Sequence, residues 1–213
     1  MIFAIDHIAF TCSDTDEICR RLKEMGYKET FSEIGLANPE IKKGLMKRWT
    51  PLHDMFFFEK PPGLNIEVIR YDAVYGGKSF LSLGDGPLFS GNKIIITAPD
   101  LEHSYRFWSL FGVKMIKKHD NLYECIFQTP FSRGIAFFLK QGALPQAETS
   151  LDSEGFNCIA FRCTSIVNDR QALIKQGIEV TPIEGVVVNG KKLAIFFVKG
   201  AQGEKVEIVG YEH

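Results

Sequence analysis

The chain has 213 residues, 45% of them hydrophobic and 24% charged, with 25 Lys+Arg against 26 Asp+Glu and a formal net charge of -1. That apolar share suffices for a core and excludes disorder as the main state. The balanced charge excludes an electrostatic footprint for nucleic acid, and no apolar run approaches the roughly 20 residues of a membrane-spanning helix. Met1–His7 lacks a basic leader region, and the five cysteines are odd in number with no CxxC, so a reduced, cytoplasmic chain is expected.

In chain order, one pattern recurs three times: a strand, a capping residue, a helix, a glycine, then extended runs. The first copy opens with Ile5-Asp6-His7-Ile8-Ala9-Phe10-Thr11. Ser13 is placed to cap its helix with Asp16 three positions on, Ile18 and Leu22 recur on one face, and Gly26 ends it. Strands are expected near Tyr27–Ile34, Asp54–Glu59 and Leu64–Tyr71. A Gly- and Pro-containing connector covers 73–90. The second copy starts at Asn92-Lys93-Ile94-Ile95-Ile96-Thr97, closes its aromatic-rich helix at Gly112, and continues with runs at Val113–Lys117, Leu122–Gln128 and Gly134–Lys140. A polar connector spans 142–155. The third copy runs from Phe156-Asn157-Cys158-Ile159 through Gly177, with strands expected at Glu179–Ile183, Leu193–Val198 and Lys205–Tyr211. His7 to Gly26, Lys93 to Gly112 and Cys158 to Gly177 are each 19 positions. The expected organisation is α+β: three βαβββ modules at 1–72, 91–141 and 156–213. A four-stranded sheet with one helix leaves a bare face, which must meet another sheet or line a cavity.

Alternate strand residues share a face. This groups His7, Ala9 and Thr11, and sets Ala4, Asp6, Ile8 and Phe10 on the other side. Leu64, Ile66 and Val68 suit packing under the helix, which sends Glu67, Ile69 and Tyr71 to the open face. Cys158 stands at the position of His7, and Glu207 at that of Glu67. The middle copy has Lys93 in place of the His and no Glu between Gly134 and Lys140.

With Asp6-His7-Ile8-Ala9-Phe10 and the twice-repeated Gly-x-x-x-Glu (Gly63–Glu67, Gly203–Glu207), the chain resembles the vicinal-oxygen-chelate superfamily of glyoxalases, bleomycin-resistance proteins and extradiol dioxygenases. The resemblance implies that modules pair to form a cleft with metal ligands from their first and fourth strands. Here those positions are His7, Glu67, Cys158 and Glu207 if the first and third modules pair, the pairing favoured because only they hold the Glu. It implies a divalent ion (Zn²⁺, Ni²⁺, Mn²⁺ or Co²⁺), with Glu207 or Glu67 as general base in a glyoxalase-like lyase or isomerase acting on a small oxygenated or α-keto compound. Phe56, Phe58, Phe197 and Tyr71 are the expected pocket wall. A metal-free protein that sequesters a small ligand in the bleomycin-resistance manner is the alternative. Extradiol cleavage fits less well, since it wants two His and a carboxylate around iron. Family members mostly carry an even number of modules, so three modules suggest a homodimer. Cys158 also reads as a small apolar filler, Lys42-Lys43 and Lys191-Lys192 as solvated turns, and Arg162 as half of a surface ion pair.

Overall fold

The structure, a computed structural model, describes residues 1–61, 63–72, 89–90, 93–142 and 150–211. The first connector therefore lies mostly outside the described residues, as does 143–149 of the second. The first segment forms β1 (Ile2–Thr11), α1 (Thr15–Glu24), β2 (Lys28–Ala37), a 3-10 helix (Glu40–Leu45), β3 (Leu52–Glu59) and β4 (Ile66–Arg70). The middle forms β5 (Phe89–Ser90), β6 (Lys93–Ala98), α2 (Leu101–Ser109), β7 (Val113–Lys118), β8 (Leu122–Thr129) and β9 (Ser132–Gln141). The last forms β10 (Gly155–Cys163), α3 (Ile166–Lys175), β11 (Glu184–Val188), β12 (Lys191–Lys199) and β13 (Lys205–Tyr211). Among the described residues no helix is long and apolar enough to cross a membrane.

Each helix ends where expected: Gly26, Gly112 and Gly177 all have positive φ, a conformation that costs a residue with a side chain. The first cap differs from expectation. Asp14, not Ser13, accepts from the Glu17 amide at 3.0 Å, while the Ser13 hydroxyl donates to Glu154. A carboxylate accepts this bond more strongly than a hydroxyl does. The third segment also departs from expectation. Its second strand is Glu184–Val188, and from 179–183 only Val180 makes a bridge, to Val198. Pro182 has no N–H to give to a ladder, so regular pairing begins beyond it. A two-residue turn, Asn189-Gly190, with both φ positive, joins β11 to β12 as such hairpins require.

The first and third segments build one eight-stranded sheet, ordered β11-β12-β13-β10-β1-β4-β3-β2. They join edge to edge through antiparallel β1 and β10, rather than as two sheets laid face to face. The sheet curls until its outer parts touch: the Asn189 amide donates to Glu33 of β2 at 2.7 Å. Glu184 of β11 accepts from the Glu40 and Ile41 amides at 3.0 and 2.9 Å, holding the N-terminus of the 3-10 helix over the sheet's far half. The cleft is the inside of this curl.

The middle segment has its own sheet, ordered β5-β6-β9-β8-β7, and packs on the helix-covered outer face. Ile8, Phe10, Ile159 and Phe161 face it and merge with Phe107, Trp108, Phe111, Phe127 and Phe137 into one buried cluster. Phe161 stacks on Phe111 at 5.4 Å between centroids and meets Phe127 edge-on at 5.4 Å. The end of the second connector is structural rather than a loose linker: Leu151, Asp152 and Ser153 are buried, and Leu151 O accepts from Thr11 and Asn157. Phe161→Ala removes the ring shared by both layers, and should lower unfolding free energy by about 3–5 kcal/mol. Urea denaturation measures this, and a loss below about 1 kcal/mol would contradict the account of the two-layer contact.

Candidate metal centre

Three expected side chains meet. His7, Glu67 and Glu207 each offer a donor atom within 4.8 Å of the others, and all three residues are buried. Glu67 lies beside Ala9 across the β4–β1 ladder, and Glu207 beside Ala160 across β13–β10. Two strands separate the glutamates' own strands, about 14 Å at normal spacing. Their carboxylates can meet only because the sheet curls and because Ala9 and Ala160 leave the floor between them low.

The Nε2 of His7 sits 3.2 Å from Glu67 Oε2 and 3.6 Å from Glu207 Oε2. It nevertheless makes no well-directed hydrogen bond. It points between two anionic oxygens without aligning with either, as a ligand aimed at a shared centre would. The other ring nitrogen, Nδ1, lies 3.1 Å from Asp6 Oδ2. Unbroken alternation had put Asp6 on the opposite face. The β1–β10 register shifts between Ile5 and His7, and this bulge lets Asp6 line the cavity beside its neighbour. Arg162 Nε pairs with Asp6 Oδ1 at 2.5 Å, an ion pair in the cavity lining rather than on the outer surface where it was expected.

The charges are strongly linked. Burial alone would lower the His7 pKa, but the charge of Glu67 and the contact with Asp6 outweigh it and raise it well above the ordinary value. Burial pushes Glu67 and Asp6 upward, yet His7, with Lys42 for Glu67 and Arg162 for Asp6, holds both carboxyls below the usual range.

Cys158 does not join the group. It pairs in register with Ala9 and lies in an apolar cluster with Ile69, Tyr71, Leu151 and Phe197. Burial, then the charge of Glu207, pushes its thiol far up. Its sulfur stays outside the group of donor atoms that converge, so Cys158 forms part of the floor.

The triad closes one side of a cavity of about 490 Å³. Of the four expected wall residues, Phe56 and Phe58 face the other way, toward α1, and Phe58 is fully buried there. Phe57 pairs with inward-facing Glu67 and so points inward too; it lines the cavity with Met55 and Phe31. Phe31 stacks on Phe57 at 5.0 Å, and Phe57 meets the His7 ring edge-on at 5.6 Å. Phe197 and Tyr71 lie on the cavity side but within the buried floor.

Lys42 and His53 are further cavity residues that were not expected. Lys42, read from sequence as part of a solvated turn, is buried, with Nζ 5.9 Å from the Phe197 ring centroid. Burial disfavours its charge, but Tyr71, Glu207 and Glu67 more than compensate and raise its pKa. His53, also buried, has an unpartnered Nδ1, and burial followed by the Lys42 charge lowers its pKa to about 3. The apolar Leu45 and Met46 beyond Lys42 were the available signal that this helix packs inward.

No family model matches the chain and no curated protein matches it. Among solved structures, maize glyoxalase I is similar at 18% identity and TM-score 0.38, covering 99% of this chain and 68% of that one. A Bacillus subtilis protein provisionally named a dioxygenase is similar at 12% and 0.45, covering 98% of this chain and 62% of that one. A glyoxalase/bleomycin resistance protein/dioxygenase of Alicyclobacillus acidocaldarius is similar at 15% and 0.44, covering 57% of this chain and 90% of that one. The chain thus spans under two thirds of the Bacillus protein's length. On its own strand order, with first and fourth strands parallel in each half and first strands joined antiparallel, the chain has the vicinal-oxygen-chelate fold.

His53 makes a pH prediction. Its folded pKa is depressed, so its stabilising effect is present above about pH 6.5 and is lost as pH falls toward about 3, because the unfolded chain takes the proton first. Between pH 7.5 and 5 the wild type should lose about 2 kcal/mol more than His53→Gln. Parallel urea titrations check this, and equal losses in the two proteins would refute it.

Proposed function

We propose that the chain is a divalent-metal-dependent enzyme of the glyoxalase-like kind, acting on a carbon acid beside a carbonyl in a small oxygenated or α-keto compound. The observation that carries this reading is His7 Nε2, buried, close to two carboxylates and aligned with neither. One imidazole and two carboxylates suit Zn²⁺, Mn²⁺, Ni²⁺ or Co²⁺ and leave positions for substrate oxygens. The ion, when bound, supplies a Lewis acid that polarises the carbonyl and favours enediolate formation.

The chain's own residues do the rest. Asp6 fixes the orientation of the His7 ring, and Arg162 fixes Asp6, the outer support that metal-binding histidines need. Glu207 stands farther from His7 than Glu67 does, so it is the freer carboxylate to take the proton from carbon. Lys42 offers a buried positive charge to an oxyanion on the substrate. The walls from Phe31, Phe57, Val186 and Leu193 exclude water, which strengthens each of these interactions.

A metal-free sequestering protein is the second reading. It is favoured by one observation: with His7 protonated, His7, Lys42 and Arg162 supply counter-charge to Asp6, Glu67 and Glu207 without an ion.

Metal analysis of protein purified without added salts separates the two. The enzyme reading expects close to one equivalent of a transition ion in the parent, and an affinity lower by about tenfold or more in His7→Ala and Asp6→Asn. Equal traces in all three proteins select the sequestering role. For the chemistry, proton–deuterium exchange beside the carbonyl of a small α-keto acid, followed by NMR, should slow about 10²-fold or more in Glu207→Gln. Unchanged exchange in that variant removes Glu207 as the base.

A further inference from the structure

A second cleft, about 890 Å³ and sharing no lining residue with the first, lies between the end of the 3-10 helix, α2 and the turn from β12 to β13. Among the described residues its charged lining is lopsided: Arg106, Lys199 and Lys205, with Lys47 and His103, face one carboxylate, Glu179. Lys199 and Lys205 are direct cross-strand partners, so two like charges stand about 5 Å apart at Cβ, an arrangement that repels. Lys205 is only 4% exposed. It makes no hydrogen bond or ion pair with any described residue. Burial of so much of the side chain disfavours its charge.

Asp152 favours that charge but forms no ion pair with Lys205. Both oxygens of Asp152 are taken by the amides of Lys47 and Arg48, at 2.9 and 2.8 Å. Glu204 is engaged by Ser104 Oγ at 3.3 Å and the Gln202 amide at 3.1 Å. Arg106 reaches the cleft beyond a loose 3.6 Å pair with Glu102. Beside these cations the wall is apolar, formed by Met46, Phe107, Leu110 and Ile178.

We propose that this cleft is a second binding site, for a small organic anion whose phosphate or carboxylate meets Lys199 and Lys205 and whose apolar body lies along Phe107 and Leu110. The anion supplies counter-charge to the cross-strand pair Lys199 and Lys205, beyond what Asp152 gives. The apolar wall sets the preference for an organic anion over an inorganic one.

Calorimetric titration of the full chain with phenyl phosphate, benzoate, inorganic phosphate and benzyl alcohol tests this. Phenyl phosphate should bind at one site, with benzoate weaker, inorganic phosphate weaker still and benzyl alcohol silent. Lys205→Met keeps the aliphatic stem and should weaken phenyl phosphate by about tenfold or more. Lys199→Met alters an exposed residue, does not threaten folding, and should weaken it severalfold. His7→Ala should leave binding unchanged. The proposal is overturned if phenyl phosphate does not saturate, if neither lysine variant weakens it, or if His7→Ala abolishes it and so places the ligand in the first cavity.

Discussion

The antiparallel seam between β1 and β10 is the constraint on which the rest depends. Its outer face carries Ile8, Phe10, Ile159 and Phe161, bulky side chains that fasten the middle layer. Its inner face carries Ala9, Cys158 and Ala160, small ones that keep the cavity floor low. The same ladder sets His7 opposite Ala160, which itself neighbours Glu207. A slip of one residue would exchange the two faces. Bulky rings would then fill the cavity, and the outer layer would lose its anchor. Packing and the site are therefore fixed by one register.

The two halves share a topology without sharing a site. Between β2 and β3 the first half inserts the 3-10 helix, whereas β11 and β12 are joined by Asn189-Gly190 alone. That helix crosses to the other half, held by Glu184, and covers the floor there with Ile41, Leu45 and Lys42. In consequence Phe57 lines the cavity, while Phe197, its counterpart opposite Glu207, lies buried beneath the Lys42 ammonium. Both halves line the cavity, and the imidazole comes from the first.

Much of this was legible in the sequence. Ile66 and Val68 alternate with Glu67 and Ile69 in a way that admits one orientation, and the retained glutamates indicated which segments join. What alternation could not reveal follows from its own assumptions. Asp6 turned inward because a bulge broke the period. Met55 to Phe58 is apolar at every position, so only pairing with Glu67 decides which rings face the cavity. Lys42 looked like a turn residue because its burial comes from the opposite half of the sheet, far away in sequence. The Asn189-Gly190 pair was the readable signal that the strand expected at Glu179–Ile183 belongs at Glu184–Val188.

The place of Cys158 bears on what kind of site remains. A donor there would sit beside Ala9 and near Tyr71, closing the floor with a fourth ligand. Instead three donors meet, His7 on the seam and Glu67 and Glu207 on the strands flanking it, and among the described residues no other His, Cys, Asp or Glu joins them. Open room on the far side is what a reactive centre needs, since structural metal sites close all their positions. Lys42 stands at the rim of that room, close enough to feel both glutamates without forming an ion pair with either. Its charge lowers the cost of holding two carboxylates together in an apolar cavity, and falls where a substrate oxyanion would develop. On the proposed function, one buried lysine would both favour the ionised form of Glu67 and face the reacting group.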